Sequence, residues 1–315
     1  MYICKINILN IYILIIILIV LILFSYVYDK FTKEYYSNKQ YEKTIYLVWR
    51  NKKEKTNHGF GDKLRGALFL YQYCNNNKIN FELDATDDIC GDFLKNVFSN
   101  DYDKIKDKPL TYFLYDDKSF DNMVDKIEEK LSTNNDIFVY THAVPYDLSD
   151  DDKQFAKHIC ESTDEIKLEM NEKIKKLPTD FGIKHFRFED KVFKNDIDSN
   201  DETFKEFYEL LKSDYKQTDI LFTNSNNFKK YAKENLGIQT IDCDDGLCKI
   251  EHIGESTDKD SVKNSFIEFS IISKASYIKS YSTYNWLSNF VKWPANIYNI
   301  PVENKRIDEK TVPTL

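Results

Sequence analysis

Three segments of this sequence combine glycines, cationic side chains and hydroxyls in patterns that suit phosphate binding. The first is HGFGDKLRG, His58–Gly66, in which three of the chain's eight glycines, Gly59, Gly61 and Gly66, fall within eight positions. Glycines between a strand and a helix let backbone N–H groups approach a phosphate, and a helix N-terminus favours an anion. Arg65 adds a fixed positive charge. The alternative interpretation is a tight structural turn.

The second segment is HFRFED, His185–Asp190, at the end of a predicted strand. Ligands of open α/β sheets bind beyond the carboxyl ends of the strands. Arg187 at such an end can hold a diphosphate with two parallel hydrogen bonds, and Asp190 can orient that arginine. The alternative is a surface arginine that pairs with Glu189 or Asp190.

The third segment, Phe266–Tyr298, runs from a predicted helix through a strand to a cluster of hydroxyls and a second helix. Hydroxyls at that turn can receive phosphate oxygens. The alternative is ordinary capping of the second helix by Ser282 or Thr283. The hydroxyl residues are Ser280, Ser282, Thr283, Tyr284 and Ser288.

Other polar groups allow further interpretations. Asp242 and Asp244 form a DxD pattern, which can bind Mn²⁺ or Mg²⁺ with a nucleotide diphosphate. His58, His142 and His252 are expected either near a site or in structural roles.

The elements that must position these segments alternate between strand and helix. The first half is predicted to contain strands at Ile45–Trp49, Ile79–Leu83 and Asp136–Tyr140, and helices at Asp62–Cys74, Asp121–Leu131 and Thr163–Leu177. The second half is predicted to contain strands at Ile183–Phe188, Ile220–Thr223, Ile238–Ile241, Ser276–Ser280 and Asn296–Ile300, and helices at Glu202–Leu211, Phe228–Asn235, Val262–Ser273 and Trp286–Val291. Such alternation favours parallel sheets wrapped by helices, in two α/β units divided near Pro178.

Composition narrows the possible functions. The chain of 315 residues is 42% hydrophobic, which is enough for sizeable cores, and its net charge of -8 argues against a nucleic-acid-binding protein. The six cysteines show no spacing typical of zinc sites. Cys243 and Cys248 are close enough to form a small disulfide loop, or they remain free thiols.

An apolar segment lies near the N-terminus. Every residue from Ile11 to Phe24 is apolar, and the stretch extends over Ile6–Tyr28 with three polar side chains. About 20 such residues cross a bilayer. The segment LFSYVYD has no small-residue cleavage site, so we predict an uncleaved transmembrane anchor rather than a signal peptide.

Taken together, the order of the segments resembles that of the fucosyltransferases of the GT-B type, which include α1,2-, α1,6- and protein O-fucosyltransferases. The segment DILFTNSNNFKKY, Asp219–Tyr231, adds to the resemblance, which covers Ile45–Ile300. It implies two Rossmann-like domains that face a cleft, GDP-fucose as the donor, no cofactor or metal, and a glycan or glycoprotein acceptor.

The resemblance also implies roles for individual residues. Arg187 matches the arginine that holds the β-phosphate of GDP-fucose, and His185 and Asp190 match the flanking positions of its motif. Gly59, Gly61 and Asp62 match the glycine loop, with Asp62 as the candidate general base and Arg65 close by. Ser282, Thr283 and Ser288 match the hydroxyl positions near the diphosphate.

Two departures from the family pattern leave alternatives open. Phe188 stands where many relatives have a second arginine, and Asn289 replaces the usual glycine. The alternatives are a metal-dependent enzyme of the DxD type that uses another nucleotide sugar, and a non-catalytic membrane-anchored binding protein with the same fold.

The predicted domain organisation has five parts. They are a cytoplasmic tip and signal anchor at 1–28, a stem at 29–43, an N-terminal α/β domain on the acceptor side at 44–178, a nucleotide-sugar-binding domain at 179–303 and a tail at 304–315. The predicted function implies a single-pass type II membrane protein that faces the lumen of the Golgi or endoplasmic reticulum.

Overall fold

The computed structural model describes residues 41–50, 58–113, 120–244, 246–253, 256 and 258–306, together with residues 15–17, 19, 20 and 23. The residues described upstream of position 41 are helical and exposed. Most of the predicted anchor and stem therefore lies outside the described residues. Within the described part of the chain, no helix has both the length and the apolar character needed to cross a membrane.

The first half of the chain forms a parallel sheet of four strands in the order β2-β1-β4-β3. The strands are β1 (Thr44–Val48), β2 (Asn80–Asp84), β3 (Thr111–Phe113) and β4 (Asp136–Thr141). The helices of this half are α1 (Phe60–Asn77), α2 (Tyr102–Ile105), α3 (Phe120–Thr133), α4 (Asp150–Ile159) and α5 (Asp164–Ile174). The central strand β1 is buried along nearly its whole length, as expected for a parallel sheet covered on both faces.

The second half forms another parallel sheet of four strands, in the order β10-β9-β5-β6. Its strands are β5 (Gly182–Arg187), β6 (Asp219–Thr223), β9 (Tyr277–Ser282) and β10 (Val302–Arg306), and a short hairpin is formed by β7 (Asp242–Cys243) and β8 (Gly246–Leu247). Its helices are α6 (Glu202–Asp214), α7 (Asn226–Leu236), α8 (Lys259–Ile272) and α9 (Asn289–Tyr298). The predicted architecture of parallel α/β sheets is confirmed.

The two halves share one continuous apolar core. Phe60, at the start of α1, packs edge-on against Phe266 and Phe269 of α8, with ring centroids 5.0 Å and 4.8 Å apart. The last helix, α9, crosses back to contact α1 and α4 of the first half. These contacts hold the carboxyl edges of the two sheets next to each other.

Two predicted strands are wrong. Residues Asn296–Ile300 are not a strand, because α9 continues through Pro294 to Tyr298 and ends at Asn299 in the left-handed conformation (φ 55°). The strand follows as β10. Ile238–Ile241 makes a single bridge, between Gln239 and Ile220, because the chain turns away into the β7–β8 hairpin. The helix predicted at Trp286–Val291 begins at Asn289 instead.

The hairpin settles the interpretation of two cysteines. Cys243 and Cys248 form a disulfide across β7 and β8. The disulfide lies immediately before residues 250–253, which line the cavity described below. It therefore ties one wall of that cavity to the hairpin.

Candidate active site

A cavity of about 690 Å³ lies between the two halves, at the carboxyl ends of both sheets. The first half contributes the start of α1 and the residue that follows β4. The second half contributes the ends of β5 and β6 and the segment between β9 and α9. Eight of the predicted site residues line this cavity: Gly59, Gly61, Asp62, Arg65, His185, Arg187, Asp190 and Ser288.

Arg187 occupies the last position of β5, and its backbone is fixed from two sides. Its carbonyl accepts a hydrogen bond from the N–H of Thr283 (3.4 Å). The next residue, Phe188, exchanges two hydrogen bonds with the side chain of Asn224, which follows β6. The arginine therefore projects from a rigid strand end and not from a mobile loop.

The guanidinium of Arg187 is only partly used by the protein. Its Nη2 donates to the carboxylate of Asp190, and its Cζ lies 5.1 Å from the ring centre of Phe193. Nη1 is buried and has no hydrogen-bond partner among the described residues. The alternative interpretation of a pair with Asp190 is correct, but Nη1 remains able to donate to a ligand oxygen.

His185 lies two residues earlier on β5 and is buried. Its Nδ1 shares a hydrogen bond of 2.9 Å with the hydroxyl of Ser280 on β9. Burial and the charge of Arg187 lower the pKa of His185 to about 3. A neutral imidazole next to Arg187 adds no second positive charge there.

The segment His58–Gly66 is mostly the first turns of α1, and two of its glycines serve close packing. A Cβ at Gly61 would lie 2.7 Å from the backbone of Asn289, and one at Gly66 would lie 1.9 Å from the carbonyl oxygen of Thr141. Both positions exclude a side chain because a helix and a strand end approach α1 closely. The structural interpretation therefore accounts for Gly61 and Gly66.

Asp62 and Arg65 face the cavity from the first turns of α1. Asp62 Oδ1 accepts a hydrogen bond of 2.8 Å from the side chain of Asn289 and lies 3.2 Å from Nη2 of Arg65. Asn289 thus links α9 to α1 across the cavity. The carboxylate of the candidate base is already engaged on one oxygen.

Of the three hydroxyl residues predicted to bind the donor, Ser288 alone is among the residues that line the cavity. Ser288 lines the cavity and caps α9, where its Oγ accepts from the N–H of Phe290 (3.4 Å). Ser282 is buried, does not line the cavity, and accepts from the N–H of Tyr284 (3.0 Å). Thr283 does not line it either. The cap of α9 is therefore Ser288, whereas the alternative interpretation named Ser282 or Thr283.

Histidines of the first half form part of the opposite wall. His58 and His142 stack with ring centroids 4.2 Å apart, and Nδ1 of His58 lies 3.0 Å from the hydroxyl of Tyr140. Burial, followed by the charges of His58 and Arg65, lowers the pKa of His142 to about 4. His142 is therefore neutral at physiological pH.

Tyr284, one of the hydroxyl residues named from the sequence, lines the cavity, and so do Trp286 and Lys292, which sequence analysis missed. Tyr284 fixes the loop after β5, because its hydroxyl accepts from the N–H of Asp190 (3.1 Å). Trp286 stacks on Tyr284 with ring centroids 4.9 Å apart and is 60% exposed. Lys292 faces the cavity from α9. Lys292 lies four residues after Ser288, and residues with this spacing share one face of a helix. This spacing was the one signal in the sequence that could have identified Lys292.

The DxD pattern lies elsewhere. Asp242 pairs with Lys233 (2.6 Å), and neither Asp242 nor Asp244 is among the residues that line the cavity. Within the described ranges, no three His, Cys, Asp or Glu side chains are grouped as a metal site would require.

Two facing parallel sheets with a cleft at their carboxyl edges define a GT-B-like fold. The structure is similar to that of NodZ α-1,6-fucosyltransferase soaked with GDP-fucose, with a TM-score of 0.51 at 11% identity over 83% of this chain and 94% of that one. The selenomethionine form of the fucosyltransferase NodZ from Bradyrhizobium gives a TM-score of 0.51 at 10% identity, over 81% of this chain and 92% of that one. The predicted resemblance in fold is confirmed.

A structure of POFUT1 in complex with GDP aligns with a TM-score of 0.45 at 9% identity, which is too low to carry an argument. No protein-family model and no curated protein sequence matches the chain. At these identities the similarity establishes the fold alone.

Proposed function

We propose that this chain is a metal-independent glycosyltransferase that transfers fucose from GDP-fucose, with inversion, to a glycan or protein acceptor. The observation that carries the proposal is Arg187: a rigid arginine at the carboxyl end of a central strand, with a buried Nη1 that has no partner among the described residues. A diphosphate oxygen supplies the acceptor that this group lacks. The fold shared with NodZ supports the same donor class.

In the proposed reaction an acceptor hydroxyl attacks the anomeric carbon of fucose, and the bond between that carbon and the β-phosphate oxygen breaks. The electron pair leaves with GDP, so negative charge grows on the diphosphate. Cations already in place stabilise that charge without reorganising. Arg187 has this role, supported by Arg65 and by the N-terminus of α9 at Ser288.

Asp62 remains the proposed general base, placed at the start of α1 beside the cavity. Its Oδ1 is held by Asn289 and Arg65, which leaves Oδ2 for a proton. Asp62→Asn keeps the size of the side chain and is expected to lower hydrolysis of GDP-fucose by about 10²–10⁴-fold at unchanged GDP affinity. Unchanged hydrolysis would exclude Asp62 as the base.

The departure at Phe188 does not weaken the proposal. Phe188 is buried in an aromatic cluster with Phe207 and Phe228, at centroid distances of 4.6 Å and 5.2 Å. A residue at this position points away from the cavity, so a second arginine here would not reach a donor. This removes the main argument for a non-catalytic protein.

We further propose that the enzyme is anchored by its N-terminal segment as a type II protein that faces the lumen of the secretory pathway. The apolar run over Ile6–Tyr28 supports the anchor. The disulfide between Cys243 and Cys248 supports an oxidising compartment.

A donor screen tests the proposed activity. The full chain, purified in mild detergent, is incubated with GDP-, UDP- and ADP-sugars in EDTA or Mn²⁺, and release of the nucleotide is measured. We expect hydrolysis of GDP-fucose in EDTA, unaffected by Asp244→Ala. Turnover that requires Mn²⁺ and is lost in Asp244→Ala would favour the DxD enzyme. Donor binding without turnover would favour the binding protein.

A further inference from the structure

Lys292 is a partly buried lysine on the first turn of α9, and it lines the same cavity as Arg187. No carboxylate of the described residues lies within 4.0 Å of its Nζ. Its Nζ lies over the ring of the neighbouring Trp293, 5.0 Å from the ring centre. A lysine that gives up water without gaining an anionic partner costs stability, so its position calls for another reason.

Arg65 lies on the facing helix and adds to this cost. Burial lowers the pKa of Lys292, and the charge of Arg65 lowers it further. Arg65 is partly neutralised by Asp62 at 3.2 Å, whereas Lys292 has no such neighbour. An anion bound between these two cations would offset their repulsion.

The end of β5 supplies no positive charge besides that of Arg187. The residue after Arg187 lies in the aromatic core and supplies no cation. His185 on the same strand is held neutral by burial and by Arg187. The other lysine and arginine residues that line the cavity are Arg65 of α1 and Lys292 of α9.

We propose that Lys292 binds the diphosphate of the nucleotide donor together with Arg65 and Arg187. The proposal rests on the proposed function and adds a residue to it. The ammonium of Lys292 contacts a phosphate oxygen and stabilises the charge that GDP gains as the bond to the sugar breaks. Through these three residues the donor contacts α1, β5 and α9.

Calorimetric titration of the full chain with GDP and with inorganic pyrophosphate tests this role. Lys292→Ala is expected to weaken the binding of GDP about 10- to 100-fold and the binding of pyrophosphate by the same factor. The reason is that Lys292 contacts the phosphates and not the base. Lys292→Arg keeps the charge and is expected to stay within a few-fold of the native protein. Lys274→Ala, an exposed lysine after α8, is the matched control and leaves both affinities unchanged.

Thermal unfolding without ligand separates this role from a structural one. Removing Lys292 relieves its repulsion with Arg65, so Lys292→Ala is expected to unfold at the same or a higher temperature while it binds GDP more weakly. If Lys292→Ala binds GDP within threefold of the native protein while Arg187→Ala loses binding, the role of Lys292 is overturned and the proposed function stands. A native chain that binds neither GDP nor pyrophosphate overturns the proposed function as well.

Discussion

Two of the chain's few arginines lie in the cavity. The chain has only four arginines among its 44 lysines and arginines, yet two of the four line the cavity. Arginine gives planar, two-point contact with phosphate, which suits the proposed role of these two residues. The rarity of arginine makes Arg187 and Arg65 stand out in the sequence.

His185 leads to a prediction about pH. Its pKa in the folded chain is about 3, whereas an ordinary histidine titrates near 6.5. Between these values the unfolded chain binds a proton that the folded chain does not, so the stability from a neutral His185 is present above pH 6.5 and is lost on acidification. From pH 7 to pH 5 the loss amounts to about 2 kcal/mol.

Urea denaturation at pH 7 and pH 5 measures this loss. His185→Gln cannot titrate, so its stability is expected to fall less over the same interval than that of the native chain, by about 2 kcal/mol. His142 is present in both proteins and contributes equally to each. The same pH dependence in both proteins would contradict the assignment.

At the residue scale, the sequence predicted the cavity residues that belong to short motifs and missed those whose positions depend on packing. The HxRxxD pattern identified His185, Arg187 and Asp190 because the end of a buried strand is a local signal. Ser282 was expected near the diphosphate, but it is buried at the end of β9 and does not line the cavity, and a short motif does not reveal such burial. Lys292 lacked a motif, since its role depends on which helix returns to the first half of the chain.

Helices α1 and α9 are the elements that bring the two halves of the site together. Gly61 and Gly66 let Asn289 of α9 and the end of β4 approach α1, and Phe60 packs on α8 from between two glycines. The glycines that suggested a phosphate loop thus also determine how closely the walls of the cavity approach each other. Sequence alone does not distinguish these uses, since both require the absence of a side chain.

Alanine at these glycines is expected to destabilise the protein in a definite order. Gly66→Ala drives a Cβ to 1.9 Å from the carbonyl oxygen of Thr141 and is expected to cost about 3 kcal/mol of unfolding free energy, and Gly61→Ala about 2 kcal/mol. Asn75→Ala, exposed on the same helix, is the control and is expected to stay within about 0.5 kcal/mol. Urea denaturation in which Gly66→Ala matched the control would contradict this packing.

The errors in element assignment share a cause. The residues Asn296–Ile300 have the apolar, branched character of a strand, but the contacts of α9 with α1 and α4 keep the segment helical through Pro294. Ile238–Ile241 reads as a strand and makes one bridge, because β7 and β8 redirect the chain. In both places long-range packing overrides local preference.

At the scale of the whole molecule, an acidic chain surrounds a cavity whose lining includes three cationic and four acidic side chains. Under the proposed function, Arg65, Arg187 and Lys292 must hold an anionic donor against a net charge of -8. The order of strands and helices along the chain was enough to predict two parallel sheets. Their shared core, by contrast, depends on α8 and α9, whose partners are distant in sequence.

The predicted anchor leads to a test on membranes. We expect the full chain to remain in the membrane pellet after alkaline carbonate extraction, because about 20 apolar residues partition into the bilayer core. A chain that begins at Tyr41 is the control and is expected in the supernatant. Recovery of the full chain in the supernatant would contradict the anchor.

The most direct test of the central claim is the affinity of the full chain for GDP in EDTA, measured by calorimetry for the native protein, Arg187→Ala and Arg306→Ala. Arg306 is exposed on β10, does not line the cavity, and serves as the matched arginine control. The account predicts saturable, metal-independent binding that Arg187→Ala weakens about 100-fold and Arg306→Ala leaves within about threefold. No binding of GDP by the native chain, or an equal loss in both variants, would contradict it.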